Sequence, residues 1–418
     1  MGKRKTFAEK IIGMKLEHEV NAGEIVVLKP DICLSHDNTA AILSTFKKLG
    51  VNKLENPDRH VVILDHTVPA PSQKNAENHQ SIREFVKEQG IQHFYDINYG
   101  ICHQVLPEKG HVLPGALIVG SDSHTTTHGA FNAFACGIGR SEAAVIMGTG
   151  EIWLRVPETL RIIITGKIQD FVTAKDIALY IIGKIRADGA DYKSVQFEGE
   201  AVDRMSMADR MTLCNMAAEM GAKNGYCRFD EKTQVFLKNR VNADFTPVWS
   251  DEDAEYVETH TFDAEVIQPQ IAIPHTVDNV FNLSEKIGTK INQALLGTCT
   301  NGRLEDLHAA RKILKGRKIH SEVRFLVLPA SYEIMREAVA DGTIMDLIDA
   351  GAVILNSGCG PCLGAHEGVM APGEVTISTA NRNFKGRMGC NDAEIYLASP
   401  YTVAASAITG EITHPANI

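Results

Sequence analysis

The sequence predicts an α/β protein built from doubly wound, mostly parallel sheets, and three observations carry that prediction. Wholly apolar runs of strand length recur along the chain, among them Val61–Leu64, Ala116–Val119, Ala294–Leu296 and Val353–Leu355. A strand that is apolar on both faces is buried on both, as in a parallel sheet covered by helices. Helical patterns such as Arg303–Leu314 and Tyr332–Ala340 alternate with these runs. Each run also opens into a polar or glycine-rich cluster, and ligands of open α/β sheets bind in the crevice beyond the carboxyl ends of the strands. The clusters are therefore expected to converge on one cleft.

In chain order, Phe7–Ile12 reads as an amphipathic helix and Gly23–Leu28 as a short strand. Asp37-Asn38 can cap a helix from Ala40 to Leu49 that stops at Gly50, and a helix near Gln80–Glu88 ends at Gly90. The run Val61–Leu64 leads into Asp65-His66, and Ala116–Val119 into Gly120-Ser121-Asp122-Ser123-His124-Thr125. The middle of the chain changes character: a strand at Leu160–Gly166, a helix from Ala174, the segment Cys214–Ala222, and an acidic surface loop around Asp251–Glu258. Thereafter Gln293–Leu296 leads to Gly297-Thr298-Cys299-Thr300-Asn301, Val353–Leu355 to a Cys-Gly-Pro-Cys turn, and Val375–Ser378 to Ala380–Arg387. The 418 residues leave room for about three domains at roughly 150 residues each. They are expected at 1–157, 158–285 and 286–418.

Composition excludes several classes. A content of 44% hydrophobic, 22% charged and 6% aromatic residues suits a globular enzyme. The net charge of −10, without a compensating Lys/Arg cluster, argues against a nucleic-acid surface. No apolar stretch approaches the ~18 residues of a membrane span. The start Met1-Gly2-Lys3-Arg4-Lys5-Thr6 loosely fits a myristoylation or transit signal, but no apolar segment follows it, and a cytoplasmic location is expected. Nine cysteines, an odd number spread over a long chain, do not form a disulfide framework and point to a reducing compartment. Cys33, Cys136 and Cys214 lie among apolar neighbours, as core cysteines do.

The chemistry lies in the clusters. Cys359-Gly360-Pro361-Cys362 can be a zinc site, a redox pair or part of an iron–sulfur site. Cys299 adds a third thiol, 60 residues before Cys359, beyond another strand of the same predicted sheet. Three thiolates on a four-iron cluster would leave one iron open to act as a Lewis acid toward a hydroxyl and a carboxylate. A zinc ion would need a fourth ligand, for which His366 is a candidate, and a redox pair would leave Cys299 unexplained. Asp65-His66, His103 and Asp122-Ser123-His124 place imidazoles beside carboxylates, suited to proton transfer near neutral pH. Asn215 and Glu219 are four apart and are expected on one helix face. Arg382 and Arg387 offer guanidinium forks for the carboxylates of a di- or tricarboxylic acid. For any one of these the plain alternative is a structural polar group or a surface arginine. His124 and His128 have zinc-like spacing but lack the glutamate of a metalloprotease, and neither Gly137-Ile138-Gly139 nor Gly148-Thr149-Gly150 completes a dinucleotide fingerprint.

Taken together, Asp65-His66-Thr67-Val68-Pro69, Gly100-Ile101-Cys102-His103-Gln104, Ser121-Asp122-Ser123-His124-Thr125, Cys214-Asn215-Met216, Gly297-Thr298-Cys299-Thr300-Asn301, Gly358-Cys359-Gly360-Pro361-Cys362 and Asn381-Arg382-Asn383-Phe384 resemble the motifs of the aconitase-family hydro-lyases. The likeness runs over essentially the whole chain and is nearest to the large subunits of the split, isopropylmalate-isomerising type. It implies a three-domain aconitase-like fold around one [4Fe-4S] cluster per chain, held by Cys299, Cys359 and Cys362. It pairs Asp65 with His66, His103 with Asp122 and His124 with Glu219, and places Ser123 in the same catalytic group. His66 is the implied proton donor to the leaving hydroxyl. Asn215 and Asn381 would line the cluster, and Arg382 and Arg387 would hold substrate or support the site. Single-chain relatives carry a swivelling domain that supplies a serine base and another arginine. No Gly-Ser-Ser-Arg-Glu type segment is found here, so those groups are expected from a separate small subunit. The expected substrate is a small hydroxycarboxylic acid, foremost 3-isopropylmalate, with 2,3-dimethylmalate, homoaconitase-type and citramalate-type acids as alternatives. Asn38 stands where isopropylmalate-type chains are expected to have glycine. An apo-form RNA-binding role, known among some relatives, runs against the acidic charge.

Overall fold

The computed structural model describes residues 4–418, so Met1-Gly2-Lys3 of the signal-like start lie outside the described residues. The first helix, Phe7–Leu16, is closed by a capping box in which the Thr6 backbone N–H donates to Glu9 Oε2 at 2.9 Å. Strand β1 (Ile25–Leu28) does not join a parallel sheet. It forms an antiparallel two-stranded ribbon with a strand much later in the segment, Ile152–Arg155.

Five parallel strands follow: β2 (Ile32–Ser35), β3 (His60–Ile63), β4 (His93–Tyr95), β5 (Leu117–Gly120) and β6 (Phe134–Gly137). Their order is β4-β3-β2-β5-β6, so β2 is central, with Cys33 opposite His60 on one side and Ile32 opposite Ile118 on the other. This strand is absent from the sequence expectation because Asp31 and Ser35 bracket only three apolar residues. Burial on both sides, not strand length, makes it a strand. The helix expected at Gln80–Glu88 begins earlier, at Gln73, behind an Ser72 cap, and runs to Gln89.

After β7 (Ile152–Arg155), the ribbon partner of β1, come four parallel strands: β8 (Thr159–Thr165), β9 (Ser194–Glu198), β10 (Asn224–Cys227) and β11 (Glu258–Asp263), in the order β10-β9-β8-β11. The acidic stretch expected as a loop thus ends in a half-exposed edge strand, β11. The third sheet comprises β12 (Gln270–Ala272), β13 (Val280–Asn282), β14 (Gln293–Gly297), β15 (Arg324–Leu328), β16 (Val353–Ile354), β17 (Val375–Ser378) and β18 (Glu394–Ala398). Its order is β13-β12-β18-β17-β14-β15-β16, parallel except where β12 pairs antiparallel with β13 and β18. Residues 270–282, before the expected boundary at 285, therefore already belong to the third sheet.

Both larger sheets are doubly wound, and each has a point where the chain reverses its direction of winding. In the first sheet it lies between β2 and β5; in the third, between β14 and β17. Strand carboxyl ends at such points splay apart and leave a crevice. The first crevice is bordered by the residues after β2, β3 and β5, and the second by those after β14, β16 and β17. Hydrogen bonds described below join the two. No described helix is long and apolar enough to cross a membrane.

Candidate active site

The turn after β3 is built by Asp37, at the end of β2. Its Oδ2 accepts the backbone N–H groups of Asp65 and His66, both at 2.8 Å. Its Oδ1 accepts Thr67 N at 3.0 Å, Thr67 Oγ1 at 2.6 Å and His79 Nε2 at 2.8 Å. Burial opposes ionisation of Asp37, but the His79 bond, with His66 and His36 nearby, outweighs it and holds the carboxyl far below its ordinary range. Asp37-Asn38 is thus not the helix cap expected: Asn38 occupies the cap position without a side-chain cap bond, and its amide instead grips Ser121, donating to the carbonyl and accepting from Oγ, both at 2.9 Å.

On this turn Asp65 Oδ1 meets His66 Nδ1 at 2.5 Å, while Oδ2 accepts the Cys102 backbone N–H at 2.7 Å. His66 Nε2 lies 3.5 Å from Asp122 Oδ2. Burial disfavours an imidazolium there, but Asp65 and Asp122 outweigh it and raise the His66 pKa well above its ordinary value. His36 stacks on the ring at 3.7 Å and is itself held neutral, its pKa lowered to about 4 by burial and then by the His66 charge. Asp122 gathers the other histidines: Oδ1 lies 2.7 Å from His103 Nε2 and 3.5 Å from His124 Nδ1, and it accepts the His124 backbone N–H at 2.8 Å. Burial favours the neutral acid, but His103, His124 and His66 prevail and Asp122 stays ionised. His124 Nε2 turns the other way, to Glu219 Oε1 at 2.8 Å.

Asn215 and Glu219 do not share one α-helix as expected. The helix Met207–Met216 tightens into a 3-10 turn at Ala217–Met220, which sends the two side chains to different partners. Glu219 accepts from Arg382 Nε at 2.8 and 3.1 Å, and Arg382 Nη2 donates to Ser123 Oγ at 3.0 Å. Asn215 Nδ2 donates to Cys299 Sγ at 3.3 Å, and Asn381 Nδ2 reaches the same sulfur at 3.4 Å. Arg387 Nη2 lies 3.5 Å from Cys362 Sγ. Cys359 Sγ lies 3.9 Å from Asp65 Oδ2. The two arginines expected as a pair thus occupy different stations, Arg382 at the acid–base network and Arg387 at a thiol.

Cys299, Cys359 and Cys362 are all free and buried. Burial and then the neighbouring Cys362 push the Cys299 thiol up to about 12, and burial followed by Asp65 raises Cys359 well above its ordinary value. Without a metal these two are protonated at neutral pH, and a metal must displace their protons. The N–H donors aimed at Cys299 and Cys362 suit bound, anionic sulfur. The turn is also tight: a Cβ at Gly358 would meet the Asp65 carbonyl oxygen at 2.8 Å, and one at Gly360 would meet the His366 ring at 2.6 Å. A single tetrahedral zinc, with Zn–S near ~2.3 Å, would draw sulfur ligands to about 3.8 Å from one another. The one group of three or more metal-type ligand atoms within 4.8 Å of each other among the described residues is His36, Asp37, Asp65 and His66, none of them a cysteine. Wider-spaced thiols fit a multi-iron cluster. The Asp37 oxygens in that other group are already saturated by their five donors.

Sequence reasoning missed His36 and Asp37, hidden by the missed strand β2, and Lys175. The Lys175 Nζ is fully buried and donates to the Ala380 and Thr379 carbonyls at 2.5 and 3.1 Å. A lysine in the first turn of a predicted helix gives no signal of burial, though the apolar residues around it, Ala174 and Ile177–Leu179, offered one. His128 is also fully buried, its ring 5.5 Å from that of His103, and burial lowers its pKa well below the ordinary value.

The model of the aconitase family (aconitate hydratase) matches residues 9–410. Over 412 residues, 98% of this chain and 99% of the relative, the sequence is 50% identical to 3-isopropylmalate dehydratase large subunit 1 of Methanopyrus kandleri. It is 49% identical to the probable 3-isopropylmalate dehydratase large subunit of Methanothermobacter thermautotrophicus, over 99% of both chains. It is 51% identical to the probable methanogen homoaconitase large subunit of Methanosarcina mazei, over 93% of this chain and 99% of the relative.

Proposed function

The chain belongs to the aconitase family, and from that premise we propose that it is the large subunit of an iron–sulfur hydro-lyase that interconverts 2- and 3-isopropylmalate. The observation that carries this reading is the meeting of three buried thiols with the pairs Asp65–His66, Asp122–His103 and Glu219–His124. The thiols follow β14 and β16 of the third sheet, Asp65, His66, Asp122 and His124 follow β3 and β5 of the first, and Glu219 reaches in from the turn Ala217–Met220 of the middle segment.

Cys299, Cys359 and Cys362 would hold a [4Fe-4S] cluster, which when bound supplies a Lewis acid for the substrate's hydroxyl and carboxylate. The chain's own groups do the rest. His66 carries a proton at neutral pH; Nδ1 is engaged by Asp65, whereas Nε2 has only the 3.5 Å contact with Asp122. That Nε2 is the atom positioned to protonate a departing hydroxyl. Asp122 keeps the charge that holds His66, His103 and His124 in place. Arg382, anchored by Glu219 and Ser123, and Arg387, beside Cys362, present the cationic side of the cleft to substrate carboxylates. The removal and return of the carbon-bound proton, together with much of the side-chain pocket, fall to a small subunit, in keeping with the large-subunit names of the relatives. We read the chain as three domains around this cleft, 1–157, 158–269 and 270–418, the second boundary moved back from 285 because β12 and β13 pair into the third sheet, in a cytoplasmic enzyme.

The homoaconitase names of relatives at 51% and 48% identity favour a second reading, homoaconitate hydration by the same machinery. The deciding experiment is anaerobic co-expression with the small subunit, followed by hydratase assays on isopropylmalate, homoaconitate, dimethylmalate and citramalate. A brown complex with about four irons per large chain and preference for isopropylmalate is expected. A colourless, iron-free complex would sink the cluster reading, and preference for homoaconitate would replace the substrate.

A further inference from the structure

Tyr332 donates its backbone N–H to the Tyr99 carbonyl at 2.9 Å, and where these two segments meet the helices Cys102–Glu108 and Tyr332–Ala340 border a cavity of about 760 Å³. Pockets for small molecules span about 300–1,000 Å³. Glu108 lines this one although it is only 8% exposed. Both donors to its carboxylate, Gln104 Nε2 at 2.9 Å and Ser331 Oγ at 2.8 Å, go to Oε1. Oε2 has no partner among the described residues, and a carboxylate buried this far calls for a cation when it ionises.

The other charges around the cavity are partly engaged. Glu333 is taken by Arg240 at 3.1 Å and Lys109 at 3.6 Å, and Lys109 lies over the Tyr99 ring. Arg336 and Glu337 line the cavity without a side-chain partner among the described residues. The free groups are thus two carboxylates and one guanidinium, beside the rings of Tyr99 and Tyr332. A simple cation would leave Arg336 unused, and a simple anion would meet Glu108 and Glu337. One small molecule carrying both charges answers all three, and a guanidinium fork suits a carboxylate.

Hydrogen bonds run from this cavity to both thiol turns. Gln104, which holds Glu108, accepts Arg303 Nε at 3.2 Å, and Arg303 donates to the Cys299 and Thr300 carbonyls at 2.7 and 2.6 Å. The Tyr332 hydroxyl donates to Asn356 Oδ1 at 2.5 Å, three residues before Cys359.

We propose that this cavity is an effector site for a zwitterionic α-amino acid with an apolar side chain, its ammonium on Glu108 and Glu337, its carboxylate on Arg336 and its side chain against the tyrosine rings. Occupancy fixes Glu108 and Tyr332, and through them the backbone on which the thiols stand. Binding does not depend on the reaction assigned above; only its effect on the cluster rests on that reading.

The test is calorimetric titration of the co-expressed complex with L-valine and L-phenylalanine at pH 8, above the value of about 7 to which burial raises Glu108. One or both should bind. N-acetylation of the ligand, which removes the ammonium, and amidation, which removes the carboxylate, should each weaken binding at least about tenfold, as loss of one charge-assisted hydrogen bond does. E108Q and R336Q should weaken it equally while leaving turnover without amino acid unchanged. If E108Q fails to accumulate, the exposed R336Q decides. Saturating amino acid should slow chelator-driven loss of the cluster by about fivefold, and not in the two variants. No binding by either amino acid, or binding that the variants and blocked ligands leave unmoved, would overturn the proposal. Binding without any slowing of cluster loss would overturn the effector role. A complex that takes up no iron would sink the cluster reading, and calorimetry would still decide the amino-acid site.

Discussion

Cys359 donates its backbone N–H to the backbone carbonyl of Asp65 at 2.7 Å, and its sulfur lies 3.9 Å from the same residue's Oδ2. The thiol turn of the third sheet and the acid–base turn of the first are therefore set against each other by a main-chain bond. Asp65 is the joint: its side chain also orients His66 and accepts the Cys102 N–H. Asp65→Asn keeps the shape but removes the charge that sustains the imidazolium. Turnover should fall by about 10²–10⁴-fold, the range typical of a lost general acid, while iron content stays near wild type. Steady-state kinetics and iron analysis on the same preparation check this; equal loss of both would mean that Asp65 serves the cluster rather than the proton.

Asp37 supports that joint from beneath. Asp37→Ala would leave the N–H groups of Asp65, His66 and Thr67 without their acceptor, and a cost of about 3 kcal/mol is expected from losing bonds to a buried carboxylate. The native carboxyl sits below its unfolded value, so its contribution is present above the unfolded pKa near ~4 and is lost as pH falls below that. Denaturant melts from pH 7 to pH 3 should show wild type losing stability on the acid side, with Asp37→Ala flatter over the same range.

Glu108 gives the opposite sign. It is buried beside Gln104 and Ser331, and burial first raises its pKa to about 7, with hydrogen bonds from Gln104 and Ser331 opposing the rise. A carboxyl raised above its unfolded value stabilises the fold while protonated, below the unfolded pKa, and that stability is lost as pH climbs through about 7. Glu108→Gln keeps both acceptor bonds and cannot ionise. It should match wild type near pH 4.5 and exceed it at pH 8 by about 2–3 kcal/mol, as read by chemical denaturation at the two pH values.

What the sequence disclosed and what it hid follow one physical line. Polar clusters after β3, β5, β14, β16 and β17 stand out because each interrupts a long apolar run, and the three thiols and three histidine–carboxylate pairs lie in or pack against them. The residues after β2 do not stand out, since Ile32–Ser35 is too short and polar at its ends to register as a central strand. Asp37 then passes for a cap. The edge strand β11 is hidden for a related reason: its residues are largely exposed, and pairing with β8 alone makes them a strand. Lys175 is concealed by its residue type, which is ordinarily exposed. Long-range partners, absent from any local window, decide all three.

The amides at Cys299 offer the sharpest test of the thiol site. Asn215, on the helix Met207–Met216, and Asn381, after β17, approach one sulfur at 3.3 and 3.4 Å, and Asn381 Nδ2 also donates to Asn215 Oδ1 at 3.3 Å. Both amides give N–H groups to sulfur, which favours thiolate over thiol. Changing either to Asp turns a donor into a like charge beside the thiolate that the proposed cluster requires. Asn215→Asp and Asn381→Asp should each speed chelator-driven bleaching of the cluster by about tenfold, roughly 1.4 kcal/mol of lost stabilisation. The double variant should fall short of the product of the two, because the side chains share a sulfur and a hydrogen bond. Asn381→Ala, which removes the donor without adding charge, should bleach at an intermediate rate. Identical rates for Asn381→Ala and Asn381→Asp would show that the amide fills space rather than tunes the sulfur.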